Sequence, residues 1–145
     1  KEVPEILVGA GTVHDVAHAK EAVEKGAKFI VTPGFNIEVV KWCVENNIDI
    51  VPGTVAPSDI EAAMDLGLSA CNFSSRSIWW CKNIKALKGP YADIKFMPTG
   101  GVSEKNMNEY LALSNVGAIG GSFMTPTNLV KAKNGMKLLM FVKLL

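Results

Sequence analysis

Short apolar runs rich in β-branched residues alternate along the chain with stretches whose apolar positions repeat at helical spacing. The runs occupy residues 6–9, 29–31, 48–51, 70–73, 94–97 and 116–119. Nearly every run ends in a turn that contains glycine, at Gly11, Gly34, Gly53, Gly100 and Gly121, with the fourth turn near Phe73 lacking one. Consecutive turns are 19 to 27 residues apart, which is room for one strand, one helix and their loops.

The intervening stretches read as helices. Val16, Ala19, Ala22 and Val23 form one apolar face ahead of Gly26, and Ile37, Val40, Cys43 and Val44 form another, with Trp42 covering part of that helix as packing. Ser58 with Glu61 has the spacing of a capping box, and Gly67 stops that helix. Ser103 is placed to cap a helix carrying Met107, Tyr110 and Leu111, and Thr125-Pro126 opens a last one.

Strands separated by helices predict parallel pairing, because a parallel neighbour requires a crossover. Six such units are visible. An open doubly wound sheet would gather its functional residues at one switch point, whereas these glycines close nearly every strand, as in a (β/α)8 barrel of the TIM type. A closed barrel needs eight strands and about 200 residues or more. The fold class is therefore α/β, an incomplete (β/α)8 TIM barrel with six of eight βα units, forming one partial-barrel domain over residues 1–145.

Composition narrows the function classes. At 145 residues, 48% hydrophobic and 20% charged, the chain is long and apolar enough for one packed core. Fifteen Lys and Arg against 14 Asp and Glu leave a net charge of +1 with no basic stripe, which argues against a nucleic-acid partner. Residues 110–130 carry no charge, but Asn115, Gly117, Gly120, Gly121, Ser122, Thr125 and Pro126 interrupt them, so they read as a buried strand with its loops rather than a membrane span. Cys43, Cys71 and Cys81 are odd in number and lack metal spacing, and read as reduced thiols of a cytoplasmic protein. The opening Lys1-Glu2-Val3-Pro4-Glu5 has no signal-peptide character, and without an initiating Met the chain is expected to begin partway through a longer protein.

Candidate chemistry concentrates in the last two turns. Thr99-Gly100-Gly101 and Gly120-Gly121-Ser122 occupy the places where strands seven and eight of a barrel end, and glycines there let backbone N–H groups hold a phosphate. Gly9-Ala10-Gly11-Thr12 lacks the third glycine and the distal acid of a dinucleotide fingerprint. His14 and His18 are four apart without a third ligand, and read as exposed helix positions rather than a metal site. Asp49, inside an apolar strand, is either a hydrogen-bonded core carboxylate or a site residue.

Taken together, V-G-A-G-T-V at 8–13, T-P-G at 32–34, V-P-G-T at 51–54, I-K-A-L-K-G-P-Y-A-D-I-K-F-M-P-T-G-G-V at 84–102 and N-E-Y-L-A-L-S-N-V-G-A-I-G-G-S at 108–122 resemble the class I aldolases that cleave 2-keto-3-deoxy-6-phosphogluconate (KDPG) and 4-hydroxy-2-oxoglutarate (KHG). The resemblance implies a cytoplasmic homotrimer of sugar-acid catabolism that needs no metal or cofactor. It would yield pyruvate plus glyceraldehyde 3-phosphate, or plus glyoxylate. In that family a lysine attacks the substrate ketone to form an imine that accepts electrons from the breaking C–C bond. The matching position here is Asn72, whose amide nitrogen cannot form an imine. The family's glutamate base and carboxylate-binding arginine would fall before Lys1.

By resemblance Thr12 contacts the keto-acid end and Pro33 lines the pyruvate pocket. Phe73 lies beside the imine position, and Thr99, Gly100, Gly101, Gly121 and Ser122 cradle the phosphate. The chain then reads as an inactive copy. Two alternatives stand beside this reading: a non-catalytic phosphate-binding or structural barrel fragment, and another phosphate-binding barrel enzyme such as a thiamine-phosphate synthase relative.

The family pattern departs at residues 74–81 and 135–145. Tryptophan has the single codon TGG, so Trp79-Trp80 read one nucleotide later gives Gly-Gly when Cys81 begins with T. The whole displaced segment can spell P-A-G-V-Y-G-G-V, which restores F-P-A followed by a Gly-Gly pair, as the family has it. Residues 135–142, read in the other frame, can spell D-E-I-T-N-V-C, which resembles the polar-apolar family tail. Both departures are therefore expected to be displaced reading frames, against the alternative of a divergent homologue with aromatic replacements. The aromatic and apolar residues they introduce predict aggregation of the chain expressed alone.

Overall fold

A computed structural model describes residues 6–74 and 80–131. The strands are β1 (Gly9–Gly11), β2 (Phe29–Val31), β3 (Asp49–Val51), β4 (Gly53–Thr54), β5 (Ala70–Ser74) and β6 (Lys95–Thr99). Between and after them lie helices α1 (Val16–Glu24), α2 (Ile37–Glu45), α3 (Pro57–Asp65), α4 (Trp80–Leu87), α5 (Met107–Leu111) and α6 (Thr127–Lys131), with a 3-10 turn at Ser122–Met124. Every strand pair is parallel: β1 with β2, β2 with β3, β4 with β5 and β5 with β6.

β3 and β4 are two halves of one strand divided at Pro52. Lacking an N–H, Pro52 cannot continue the ladder toward β2. Its carbonyl instead accepts from Asn72 N at 2.8 Å, so the strand hands its pairing from β2 to β5 across the break. The result is two three-stranded parallel sheets, β1-β2-β3 and β4-β5-β6, joined in sequence through Pro52, the α/β arrangement of an incomplete barrel.

The predicted sixth run, 116–119, is reduced to two isolated parallel bridges, Phe96 to Val116 and Thr99 to Gly120. Phe96 N bonds Asn115 O at 2.8 Å and Gly117 N bonds Phe96 O at 3.0 Å, but the next donor in the ladder would be Pro98. Past that gap the register slips by one residue, and Gly120 N closes on Pro98 O at 2.9 Å. The first run also differs. Its strand begins at Gly9 rather than Ile6, because β2 starts at Phe29 and the ladder ends where Lys28 N bonds Val8 O at 2.7 Å. Ile6, Leu7 and Val8 stay exposed.

Two cap assignments are corrected. α3 starts with Pro57 at its first position, and Asp59, not Glu61, reaches back to accept from Val55 N and Ala56 N at 2.9 and 3.0 Å. Ser58 lies inside that helix, and Glu61 accepts the Tyr91 hydroxyl at 3.1 Å. α5 begins one turn later than Ser103 predicts, with Asn106 as its N-cap, because Ser103 O collects Asn106 N and Met107 N in a preceding turn. α1 and α2 are capped by Asp15 and Asn36. The uncharged stretch 110–130 holds the end of α5, the two bridges, the 3-10 turn and part of α6. Among the described residues no helix is long and apolar enough to cross a membrane.

The core lies between the strands and the helices, in two clusters. One joins Ile30 and Ile50 to Ala19, Val39, Val40 and Cys43; the other joins Cys71, Phe73 and Phe96 to Ile60, Ala63, Ile84 and Tyr110. Phe35 and Leu68 pack against both, and Trp42 packs on the first, as the helical spacing predicts. Because strand side chains alternate between faces, burying Cys71 and Phe73 toward the helices turns Asn72 and Ser74 to the inner face, where the candidate site forms.

Candidate active site at the carboxyl ends of the strands

A cavity of about 530 Å³ opens at the carboxyl ends of the strands. β1 and the turn after it contribute Gly11 and Thr12; β2 and its turn contribute Val31, Thr32 and Pro33; β5 contributes Asn72 and Ser74; β6 and its turn contribute Thr99 and Gly100. The polar lining consists of hydroxyls, one carboxamide and backbone, and no charged side chain lines it among the described residues.

Asn72 forms the centre of this surface. It is 5% exposed, and its side chain uses both ends: Nδ2 donates to Thr32 O at 3.0 Å and Oδ1 accepts the Thr99 hydroxyl at 2.7 Å. The side chain thus spans from β2 to β6 across the inner face of β5. Its backbone carbonyl also accepts the Thr54 hydroxyl at 3.3 Å. Thr32, 1% exposed, donates its hydroxyl to Gly34 O at 2.8 Å and accepts Gly53 N at 3.1 Å, which ties the Pro33 turn to the β3/β4 break.

The two glycine corners lie side by side at this end. Thr99 bridges Gly120, and a Cβ on Gly120 would sit 2.8 Å from Thr99 Cγ2. Gly100 and Gly101 have φ of 73° and 78°, a left-handed pair that an L side chain would strain. Asn106 braces the loop behind them, donating to Gly101 O at 3.0 Å and accepting Ser103 N at 2.8 Å. Thr12 also has a positive φ, 61°, an uncommon conformation for a β-branched residue.

Of the residues singled out from the sequence, Thr12, Pro33, Asn72, Thr99 and Gly100 line the cavity together. Gly101, Gly121 and Ser122 lie on the adjoining corners, outside its lining. Phe73 is displaced from the site: it is 2% exposed and packs edge-on against Phe96 on the helix side, centroids 5.6 Å apart. The neighbour that does share the cavity with Asn72 is Ser74, two residues along the strand, and strand alternation is the signal that finds it. Thr32 and Gly11 were likewise missed.

Asp49 is neither a core carboxylate nor part of this site, since it is exposed at the start of β3 on the opposite end. His14 and His18 are exposed, and His18 Nδ1 meets the Asp15 carboxylate at 2.8 Å at the start of α1. That contact and the His18 N–H hold the Asp15 carboxyl below its ordinary range. Among the described residues, no three His, Cys, Asp or Glu side chains gather to hold a metal. Burial pushes the thiols of Cys43 and Cys71 up to about 11, which makes them poor nucleophiles. Of the segments that depart from the family pattern, Ser74 and the backbone of Trp80 and Cys81, where α4 begins, are described; 75–79 and 135–145 lie outside the described residues.

Comparison with known proteins agrees with this geometry. The chain is 42% identical over 132 residues to the 2-dehydro-3-deoxy-phosphogluconate aldolase of Haemophilus influenzae, covering 90% of this chain and 62% of that protein. It is 38% identical over 133 residues to the KHG/KDPG aldolase of Escherichia coli, covering 91% and 62%. The chain thus spans under two thirds of the length of these curated relatives. A crystal structure of the KDPG aldolase of Legionella pneumophila, holding pyruvate as a covalent carbinolamine intermediate, superposes with a TM-score of 0.90 at 31% identity, covering 96% of this chain and 68% of that one. A family model described as KDPG and KHG aldolase matches residues 1–140, and the chain belongs to that family.

Proposed function

We propose that this chain presents the substrate-holding face of a KDPG/KHG aldolase and binds a phosphorylated keto acid without forming an imine. The family reaction cleaves KDPG to pyruvate and glyceraldehyde 3-phosphate, or KHG to pyruvate and glyoxylate, and depends on an amine whose lone pair attacks the ketone. The observation that carries the reading is the Asn72 carboxamide at the cavity centre. Its nitrogen lone pair is delocalised into the carbonyl, and its N–H is committed to Thr32 O. No lysine lines the cavity among the described residues; Lys95, at the other end of β6, donates to Ser114 O.

What remains is a set of neutral donors. The Thr12 and Ser74 side chains, with the backbone at Gly100, surround the space a keto acid would fill, and the Gly100-Gly101 and Gly120-Gly121-Ser122 corners supply backbone donors for the phosphate. In this reading Thr12, Pro33, Thr99, Gly100, Gly101, Gly121 and Ser122 contact substrate, and Asn72 replaces the imine lysine. A cytoplasmic homotrimer and one partial-barrel domain departing from the family at 74–81 and 135–145 belong to the same proposal, as do the displaced reading frames behind those departures.

Borohydride trapping with pyruvate tests it, alongside calorimetric titration with KDPG. The expected result is binding of KDPG with no covalent label. Covalent labelling by pyruvate would overturn the non-covalent reading, and the absence of both label and binding would favour a purely structural barrel fragment. Sequencing the encoding DNA tests the displaced frames: codons 74–81 must spell Pro-Ala and Gly-Gly one base on.

A further inference from the structure

We propose that Asn36 is a positioning residue for the cavity, tying the β1–α1 loop to the start of α2 so that Thr12 keeps its left-handed backbone at the cavity mouth. The inference rests on the reading that this cavity takes a phosphorylated keto acid. A β-branched residue at φ 61° is strained and persists only where its surroundings over-determine it. On the near side, Gly11 is fixed in register opposite Val31. On the far side, Val13 is 4% exposed in the core and bonds Val31 O only at 3.4 Å.

The next tie is a side chain from a different βα unit. Asn36 Nδ2 donates to His14 O at 2.9 Å, across 22 residues of sequence. The other end of the same carboxamide caps α2, with Oδ1 accepting Glu38 N at 3.0 Å and Val39 N at 3.4 Å. Capping alone would be served equally by Asp, Ser or Thr. Only an amide can cap a helix with its oxygen and donate to a carbonyl with its nitrogen.

Phe35 packs against the core cluster that holds Val13, but among the described residues no other hydrogen bond joins the two loops. A small cavity of about 200 Å³ separates them, lined by Val13 and His14 on one side and Pro33, Gly34, Phe35 and Asn36 on the other. Thr12 and Pro33, which both line the main cavity, are carried on the two loops that Asn36 joins. The bond therefore sets the relative placement of two substrate-facing residues without touching the substrate space.

The test separates the cap from the tie. Asn36→Asp keeps an oxygen for Glu38 N and Val39 N but has no donor for His14 O; Asn36→Ser keeps a capping oxygen without adding charge, its hydroxyl sitting one bond short of where Asn36 Nδ2 reaches His14 O, and serves if the aspartate variant does not fold. The readouts are thermal stability, the Thr12 Cα and Cβ chemical shifts, which report positive φ without any ligand, and calorimetric affinity for KDPG. The expected result is thermal stability lowered by no more than one exposed hydrogen bond accounts for, Thr12 shifts moving toward extended backbone, and affinity weakened about fivefold. Thr12 shifts identical to those of the parent chain in both variants would overturn the proposal. Failure of the parent chain to bind KDPG would sink the proposed function alone, since the Thr12 shifts still decide the role of Asn36.

Discussion

The Thr99 hydroxyl donates to the Asn72 amide oxygen at 2.7 Å, so the centre of the cavity is held by a neutral bridge between β5 and β6. With Asn72 Nδ2 on Thr32 O, that bridge extends to β2 and leaves both ends of the carboxamide satisfied. In a site this buried, an unpaired amide end costs more than the bond contributes.

A double-mutant cycle on this pair follows from the geometry. Thr99→Val strands Asn72 Oδ1, and Asn72→Leu strands the Thr32 carbonyl and the Thr99 hydroxyl, so each single change should cost about 1–3 kcal/mol in urea unfolding. The coupling between them should be about 0.5–1.5 kcal/mol. Additive losses would mean that the bridge is incidental.

Gly53 and Gly11 offer a contrast between two glycines at the same end of the molecule. A Cβ at Gly53 would lie 2.4 Å from the backbone carbon and oxygen of Pro33, which cannot swing aside as a side-chain tip can. One at Gly11 meets nothing within 4 Å. Gly53→Ala should therefore destabilise by about 1–3 kcal/mol and weaken KDPG binding by displacing the Pro33 turn, while Gly11→Ala stays within about 0.5 kcal/mol of the parent. Equal effects in denaturant titrations would contradict this account.

The parallel order and the cavity centre are legible because they follow from local rules: glycine turns at unit spacing predict the crossovers, and the family resemblance singles out Asn72, which lines the cavity. What escaped depended on partners distant in sequence. The resemblance puts Phe73 beside the imine position, but strand alternation sends it to the helix side and brings Ser74 in. The slip at Pro98 needs knowledge of which strand pairs with β6. The capping role of Asp59 competed with an equally plausible spacing from Ser58 to Glu61, and only the path of Val55-Ala56 decides between them. Thr32 enters the sequence reading only within the T-P-G motif, and its role depends on Gly34 and Gly53, whose backbone groups converge on its hydroxyl.

The buried thiols set an alkaline limit on stability. Burial raises Cys43 and Cys71 from near 9.0 to about 11, so between these values the unfolded chain has lost thiol protons that the native chain still holds. Stability should be unaffected by these groups below pH 9 and fall as pH rises toward 11, by at most about 1.4 kcal/mol per pH unit for each thiol. The measurement is urea unfolding against pH in a Cys81→Ser background, with Cys43→Ala and Cys71→Ala to assign the slope. In the same background a thiol reagent at pH 8 should label neither cysteine until the chain unfolds, and prompt labelling would show that the core opens locally.

Thr32 supplies the sharpest separation of shape from hydrogen bonding. Valine has nearly the same shape but cannot donate to Gly34 O or accept from Gly53 N, leaving two backbone groups unpaired around a residue that is 1% exposed. Serine keeps both bonds and loses only a methyl group, a deficit of about 1 kcal/mol. Thr32→Val should therefore cost about 2 kcal/mol or more, and Thr32→Ser distinctly less. KDPG affinity should follow the same order, because the hydroxyl holds the Pro33 turn against the β3/β4 break. A hydrophobic origin for the conservation of shape here would give the reverse ranking, with valine the milder change, and that outcome would remove Thr32 from the account of how the cavity keeps its form.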